Sequence, residues 1–354
     1  MSIAALLERK EICICAGSGG VGKTTASAAI ALGMAARGKK VAVLTIDPAR
    51  RLADALGLEE LGNEERRVDV DVDGELWAMM LDAKRTFDDL IEWHAPDERT
   101  RDAVLSNRIY QELSGAVAGS QEYMAMEKLY ELHQEGRYDL LVLDTPPTRN
   151  ALDFLDAPRR LTEFIDSRSL QLLTAPGRLG LKVLGRGTSV AFSVMKRATG
   201  IDLLQDLAEF FRSFGDMTEG FRQRAARVNE LLGHRGTAFV LVTSPRIDAV
   251  EEGIYFHRRL KDSGLPFAGV IANRVQVAGG PVDRGELDRL LGGELAAKVY
   301  DSYEGARRLA ERDRANLDML RRRLRRTPMI EVPRLADDVH DVAGLRRMDE
   351  FLFG

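Results

Sequence analysis

A glycine-rich turn between an apolar strand and an Ala-rich helix constrains this chain more than any other feature. Residues 15–25 read CAGSGGVGKTT, which contains a complete G-x-x-x-x-G-K-[ST] phosphate loop from Gly17 to Thr24. Such a loop works because successive backbone N–H groups converge on one concavity at a helix N-terminus, where an anion is favoured. Gly17, Gly19, Gly20 and Gly22 free the backbone to approach phosphates, with Ser18 and Val21 between them. Lys23 is placed to neutralise the β- and γ-phosphates, the Thr24 hydroxyl to sit on Mg²⁺, and Thr25 to complete the helix start. The strand before it, EICICA, and the helix after it, TTASAAIALGMAARG, supply the context the motif requires.

The apolar segments KKVAVLTID, ELWAMMLD, YDLLVLD, TAFVLVT and FAGVIANR read as further strands. Their continuous Val/Ile/Leu runs predict strands buried on both faces of a mostly parallel sheet. Helical stretches between them make the fold class α/β and doubly wound, of P-loop NTPase type. We expect one ATPase domain over residues 1–354 with a helical subdomain inserted at 152–232. In that insertion no strand pattern is evident, and Leu203, Leu207, Phe210, Phe211 and Phe214 recur at helical spacing.

Composition narrows the function classes. The 354 residues carry a net charge of -4 and two cysteines, which excludes a disulfide scaffold and gives no basis for bulk polyanion binding. Cys13 and Cys15 alternate with Ile12 and Ile14, so they read as buried strand residues. The N-terminus lacks the pattern of a signal peptide, and no apolar run approaches the roughly 18 residues of a membrane span. A cytoplasmic protein without stable membrane insertion is the expectation, and no nucleic-acid partner is expected.

Two carboxylates complete a hydrolytic site. Asp47 ends one strand in LTIDPARRLADALG, and Asp144 ends another in LLVLDTPPTRNALDFL. Ligands of doubly wound sheets bind at the carboxyl edge, where both residues fall. Asp144 has the Walker B arrangement, in which a buried strand aims one carboxylate at the Mg²⁺ shell, and it is assigned to that ion through water. Asp47 is assigned to orienting or deprotonating the attacking water.

Together GSGGVGKTT, DPARRLADALG and DTPPTRNALDFL resemble the phosphate loop and two switches of the arsenite-pump (ArsA) ATPase family, which includes ATPases that target tail-anchored membrane proteins. The resemblance implies an ATP-hydrolysing enzyme with Mg²⁺ and a nucleotide-gated dimer. It also implies adenine contacts from Asn273, in FAGVIANRV, and from the backbone near Pro333, in IEVPRLADD. Three departures matter. Ser18 stands where the family carries a lysine that reaches the partner's phosphates, and a hydroxyl supplies no charge. Thr148, Arg149 and Asn150 replace the T-G-H of well-known members. The arsenite cysteines are absent, as is the Cys-x-x-Cys of the dimer-stapling zinc site, so no structural zinc is expected.

The resemblance therefore leads to a dimer, either of identical chains or with a paralogous ATPase that retains the lysine. Arg50, Arg51 and Arg149 are the cations adjacent to the switches in sequence. The insertion reads either as a lid for a protein client or as additional core. A positioning ATPase resembling MinD or ParA, acting at a membrane or nucleoid surface, is the alternative class. The terminal LRRMDEFLFG has the basic and aromatic residues of a membrane-docking helix, but Asp349 and Glu350 interrupt it, so a packed final helix is expected. A metabolic enzyme that phosphorylates a small molecule is a third class.

Overall fold

A computed structural model describes residues 1–47, 49–113, 120–145, 163 and 217–354. The chain divides into two compact units, Met1–Met80 with Leu132–Leu152 and Gly233–Gly354, and Leu81–Glu131 with Asp153–Leu232.

The first unit is built on an eight-stranded sheet. Its strands are β1 (Ile12–Ala16), β2 (Lys40–Thr45), β3 (Arg66–Arg67), β4 (Glu75–Met80), β5 (Leu140–Asp144), β6 (Thr237–Thr243), β7 (Phe267–Val275) and β8 (Met329–Pro333). They lie in the order β3-β4-β2-β5-β1-β6-β7-β8, and every pair is parallel except β3 with β4. β1, β5 and β6 are buried at every position, which accounts for their unalternating apolar sequences. The six strands expected from sequence are all present. β3 and β8 are additions at the two edges.

The helices of this unit are α1 (Ile3–Leu7), α2 (Lys23–Ala35) and α3 (Arg51–Ala55) before the second unit begins. The second unit contains α4 (Ala83–His94), α5 (Glu98–Leu105), α6 (Arg108–Leu113), most of α7 (Ser120–Glu135) and α8 (Thr218–Gly233). The first unit resumes with α9 (Ile247–Asp262), α10 (Arg284–Leu291), α11 (Gly293–Leu324) and α12 (Val342–Phe353).

α2 is buried along nearly its whole length. Its run of alanines and Gly33 lets two layers come close. A Cβ at Gly33 would lie 2.3 Å from the Phe353 ring of α12, so a side chain there would have to displace that ring. α12 buries Leu345, Met348 and Leu352, and its Asp349 accepts a hydrogen bond from Arg37 at 2.9 Å. The Arg37 guanidinium also sits 3.8 Å from the centre of the Phe353 ring. The terminal helix is thus packed against the phosphate-loop helix, with its apolar face committed to the core.

Cys13 and Cys15 are free and buried, their sulfurs 4.0 Å apart on one face of β1. Arg321, Arg322 and Arg323 lie exposed on the last turn of α11, and Arg321 pairs with Asp318 and Glu331. No helix among the described residues is long and apolar enough to cross a membrane.

In the second unit, α4 begins at Asp82, whose side chain caps the Arg85 N–H. Glu127 on α7 is buried beside the Arg224 guanidinium of α8 and accepts from Tyr123 at 3.1 Å. Burial pushes the Glu127 carboxyl up, and the Arg224 charge pulls it back. Residues 81–131 share the second unit with Asp153–Leu232, whereas the sequence reading names only 152–232 as an inserted subdomain. Most of the 152–232 insertion, including Leu203, Leu207, Phe210, Phe211 and Phe214, lies outside the described residues, as do Thr148, Arg149 and Asn150.

Candidate active site

Strand register brings the site together. Asp144 on β5 lies level with Cys15 on β1 and with Thr45 on β2, at the carboxyl edge of the sheet. The phosphate loop leaves β1 at this edge, and α2 starts directly after it. Gly22 caps the helix with φ 92°, a left-handed conformation that favours glycine. Gly17 is fixed by proximity instead: a Cβ there would fall 1.9 Å from the Val242 carbonyl oxygen.

Lys23, only 6% exposed, donates from Nζ to the Ser18 carbonyl at 2.8 Å. Burial lowers the Lys23 pKa, while Asp144 and Asp47 act to raise it. The Thr24 hydroxyl donates to Asp144 Oδ2 at 2.7 Å, and the Thr45 hydroxyl donates to the same oxygen at 3.0 Å. Asp144 Oδ1 is buried and has no hydrogen-bond partner among the described residues. A hydroxyl beside a carboxylate with an unused oxygen is the all-oxygen donor set that Mg²⁺ favours, so these residues fit the ion.

Asp47 follows β2. Its N–H donates to Thr45 Oγ1 at 3.2 Å, and its Oδ1 accepts from the Ala49 N–H at 2.9 Å. Its Oδ2 is 3.5 Å from the Arg51 guanidinium. Thr45 Oγ1 thus links the two residues, donating to the Asp144 carboxylate and accepting from the Asp47 backbone N–H. Sequence reasoning did not single out Thr45; its place at the end of a buried strand, two residues before Asp47, was the available signal.

A cavity of about 1070 Å³ opens beside the loop. Gly20, Thr25, Asn273 and Pro333 all line it, which brings residues from distant parts of the sequence to one wall. Asn273 is buried and donates from Nδ2 to the Val21 carbonyl at 2.9 Å. A Cβ on Gly22 would come within 2.4 Å of that same amide nitrogen. Gly19 and Gly20 are exposed, Val21 is buried, and Ser18 Oγ is buried without a hydrogen-bond partner among the described residues.

Burial pushes the Asp144 carboxyl up to about 6 from its ordinary 3.8, against the hydrogen bonds from Thr24 and Thr45 and the charge of Lys23. A carboxyl whose pKa is higher folded than unfolded costs the ligand-free protein stability as pH rises between those two values. Asp144→Asn removes the charge. The variant is expected to match wild type near the lower value and to exceed it by roughly 1–2 kcal/mol above the upper one. Thermal unfolding of the two ligand-free proteins across this pH range measures the difference; a less stable variant at neutral pH contradicts the assignment.

The strand, loop and helix, with two carboxylates at the sheet's carboxyl edge, define a P-loop nucleotide-binding protein. The family model described as anion-transporting ATPase, ArsA_ATPase, matches residues 10–280. The chain belongs to this ATPase family. It is 27% identical over 260 residues to "ATPase get3" of Neurospora crassa, covering 73% of this chain and 71% of that protein. It is 25% identical over 267 residues to "Putative arsenical pump-driving ATPase 2" of Aquifex aeolicus, covering 73% of this chain and 78% of that one. With "ATPase get3" of Aspergillus terreus the identity is 33% over 172 residues, and the match covers 48% of this chain and about half, 49%, of the relative. ATP hydrolysis is the activity that the family description and these names carry.

Proposed function

We propose that this chain is a Mg²⁺-dependent ATPase that uses ATP-driven closure of a dimer to bind or release a protein partner. The observation that carries the reading is the Thr24–Asp144–Thr45 cluster beside Lys23, with one Asp144 oxygen unpaired among the described residues. ATP is the substrate. Its phosphates lie in the loop from Gly17 to Thr25, and its base in the cavity lined by Asn273 and Pro333. Bound Mg²⁺ supplies neutralisation of the β- and γ-phosphate charge. Thr24 and Asp144 are the residues that would hold the ion. Lys23 leaves the Ser18 carbonyl and neutralises the phosphates from the other side. Asp47, held by Ala49 and Arg51, orients water for in-line attack and accepts its proton.

The dimer and the protein partner come from the family. Ser18 offers a partner subunit no charge, so closure draws either on another cation of this chain or on a paralogue that retains the lysine. The insertion at 152–232 is the candidate client lid. The two free, buried cysteines are in keeping with a reducing cytoplasm. The packing of α12 on α2 commits the apolar face of that helix to the core, which weighs against the MinD/ParA-like reading.

The test uses Asp47→Asn, which retains ATP. With Mg·ATP the variant is expected to run as a dimer by light scattering and to retain a co-purifying protein that ADP releases. A monomer in both nucleotides contradicts dimer closure. Adding Ser18→Lys to the wild-type chain separates the two sources of charge: faster turnover points to the missing lysine, and unchanged turnover to a cation within this chain.

A further inference from the structure

An anion nest needs its N–H groups turned inward, so the carbonyls of the same peptides must turn out and find donors elsewhere. Three carbonyls of this loop have such donors. Lys23 takes the Ser18 oxygen at 2.8 Å, Arg274 Nη1 takes the Gly20 oxygen at 3.0 Å, and Asn273 Nδ2 takes the Val21 oxygen at 2.9 Å. The first donor is expected to leave when nucleotide arrives. The other two come from the end of β7, some 250 positions away in sequence.

The backbone at that point is irregular. Between β7 and β8, Ala272 is level with Glu331 and Val275 with Pro333, so β7 carries an extra residue across Asn273 and Arg274. Arg274 adopts φ 60°, a left-handed conformation uncommon for a residue with a side chain. Asn273 Oδ1 stabilises it by accepting from the Arg274 N–H at 2.9 Å. Bulges beside sites re-aim side chains, and this one sends two successive residues to two successive loop carbonyls.

We infer that Asn273 and Arg274 form a clamp that holds the phosphate loop open for the β-phosphate, with Arg274 a positioning residue for phosphate rather than a contact to the base. The inference rests on the nucleotide-site reading and extends it: the amide that the family resemblance assigns to adenine also braces the loop. Arg274 thereby joins the site beside Asn273, the one residue of that segment expected there from sequence.

Arg274→Gly and Arg274→Lys separate the clamp from the fold. Glycine accepts φ 60° without strain, and this relief offsets the greater backbone entropy of the unfolded chain, so Arg274→Gly is expected to unfold close to the wild-type temperature. It loses the donor, so its affinity for Mg·ADP and Mg·pyrophosphate is expected to fall about tenfold. Affinity for AMP, which has the base but no β-phosphate, is expected to stay. Arg274→Lys keeps a charged donor and is expected to recover part of the loss. Calorimetric titration of the three ligands reads this directly. Wild-type affinity for ADP and pyrophosphate in Arg274→Gly overturns the clamp. A loss shared equally by AMP, with pyrophosphate unaffected, assigns Arg274 to the base and overturns it too. Failure of the wild-type chain itself to bind ADP overturns the nucleotide reading, and the clamp with it.

Discussion

Lys23→Ala is expected to reduce Mg·ATP affinity by at least about a hundredfold and to leave no measurable turnover. The reason is the environment of the ammonium. Lys23 is buried at the start of α2, close enough to Asp144 and Asp47 for both to act on its charge. A triphosphate bound in the same loop adds several negative charges within reach of these carboxylates. Without Lys23 the loop retains its N–H dipoles but no cation inside the nest, and charge-assisted hydrogen bonds to phosphate are the strong ones. The fold does not depend on the contact Lys23 makes, because the loop is held independently at Gly20 and Val21. Circular dichroism is expected to be unchanged while titration shows the loss. Wild-type affinity and turnover in this variant contradict the placement of the phosphates.

Asp47→Asn is expected to have a different profile. The substitution preserves shape, and the new amide oxygen can still accept from the Ala49 N–H. What is lost is the negative charge and the capacity to take a proton. Removing a general base costs typically about 10²–10⁴-fold in rate. Nucleotide affinity is expected to remain within about threefold of wild type, because Asp47 adds negative charge near the phosphates and its neutralisation does not weaken their binding. Pre-steady-state phosphate release measured beside a titration distinguishes the two quantities. Loss of affinity with no change in the bound-state rate assigns Asp47 to binding instead.

Much of this site was legible because local signals coincide. At β1 and α2, the apolar strand, the glycines and the Lys-Thr pair all lie within 25 residues, and each requires the next. Asp144 follows four buried apolar residues, so its strand aims it by register alone. Asn273 and Pro333 were reached only through family resemblance; nothing in their own neighbourhoods shows that they line the cavity beside Gly20 and Thr25. Arg274 gave no signal because its role depends on a bulge, and a bulge is a relation between two strands. β8 was obscure for a related reason. At the sheet edge only Ile330 and Val332 are buried, with Glu331 exposed between them, so a short alternating segment stands in place of an apolar run. β3, with two exposed arginines, carries no apolar pattern at all. The second unit joins residues 81–131 to 153–232 through contacts such as Glu127 with Arg224, nearly a hundred positions apart. Periodicity along one helix does not reveal them.

The central claim is that this phosphate loop binds ATP with Mg²⁺ and hydrolyses it. Phosphate release by the purified chain in ATP, with Mg²⁺ and then with the ion chelated, tests it most directly. The account predicts release that requires Mg²⁺ and disappears in Lys23→Ala. Release that persists in the chelator, or that Lys23→Ala leaves intact, would contradict it.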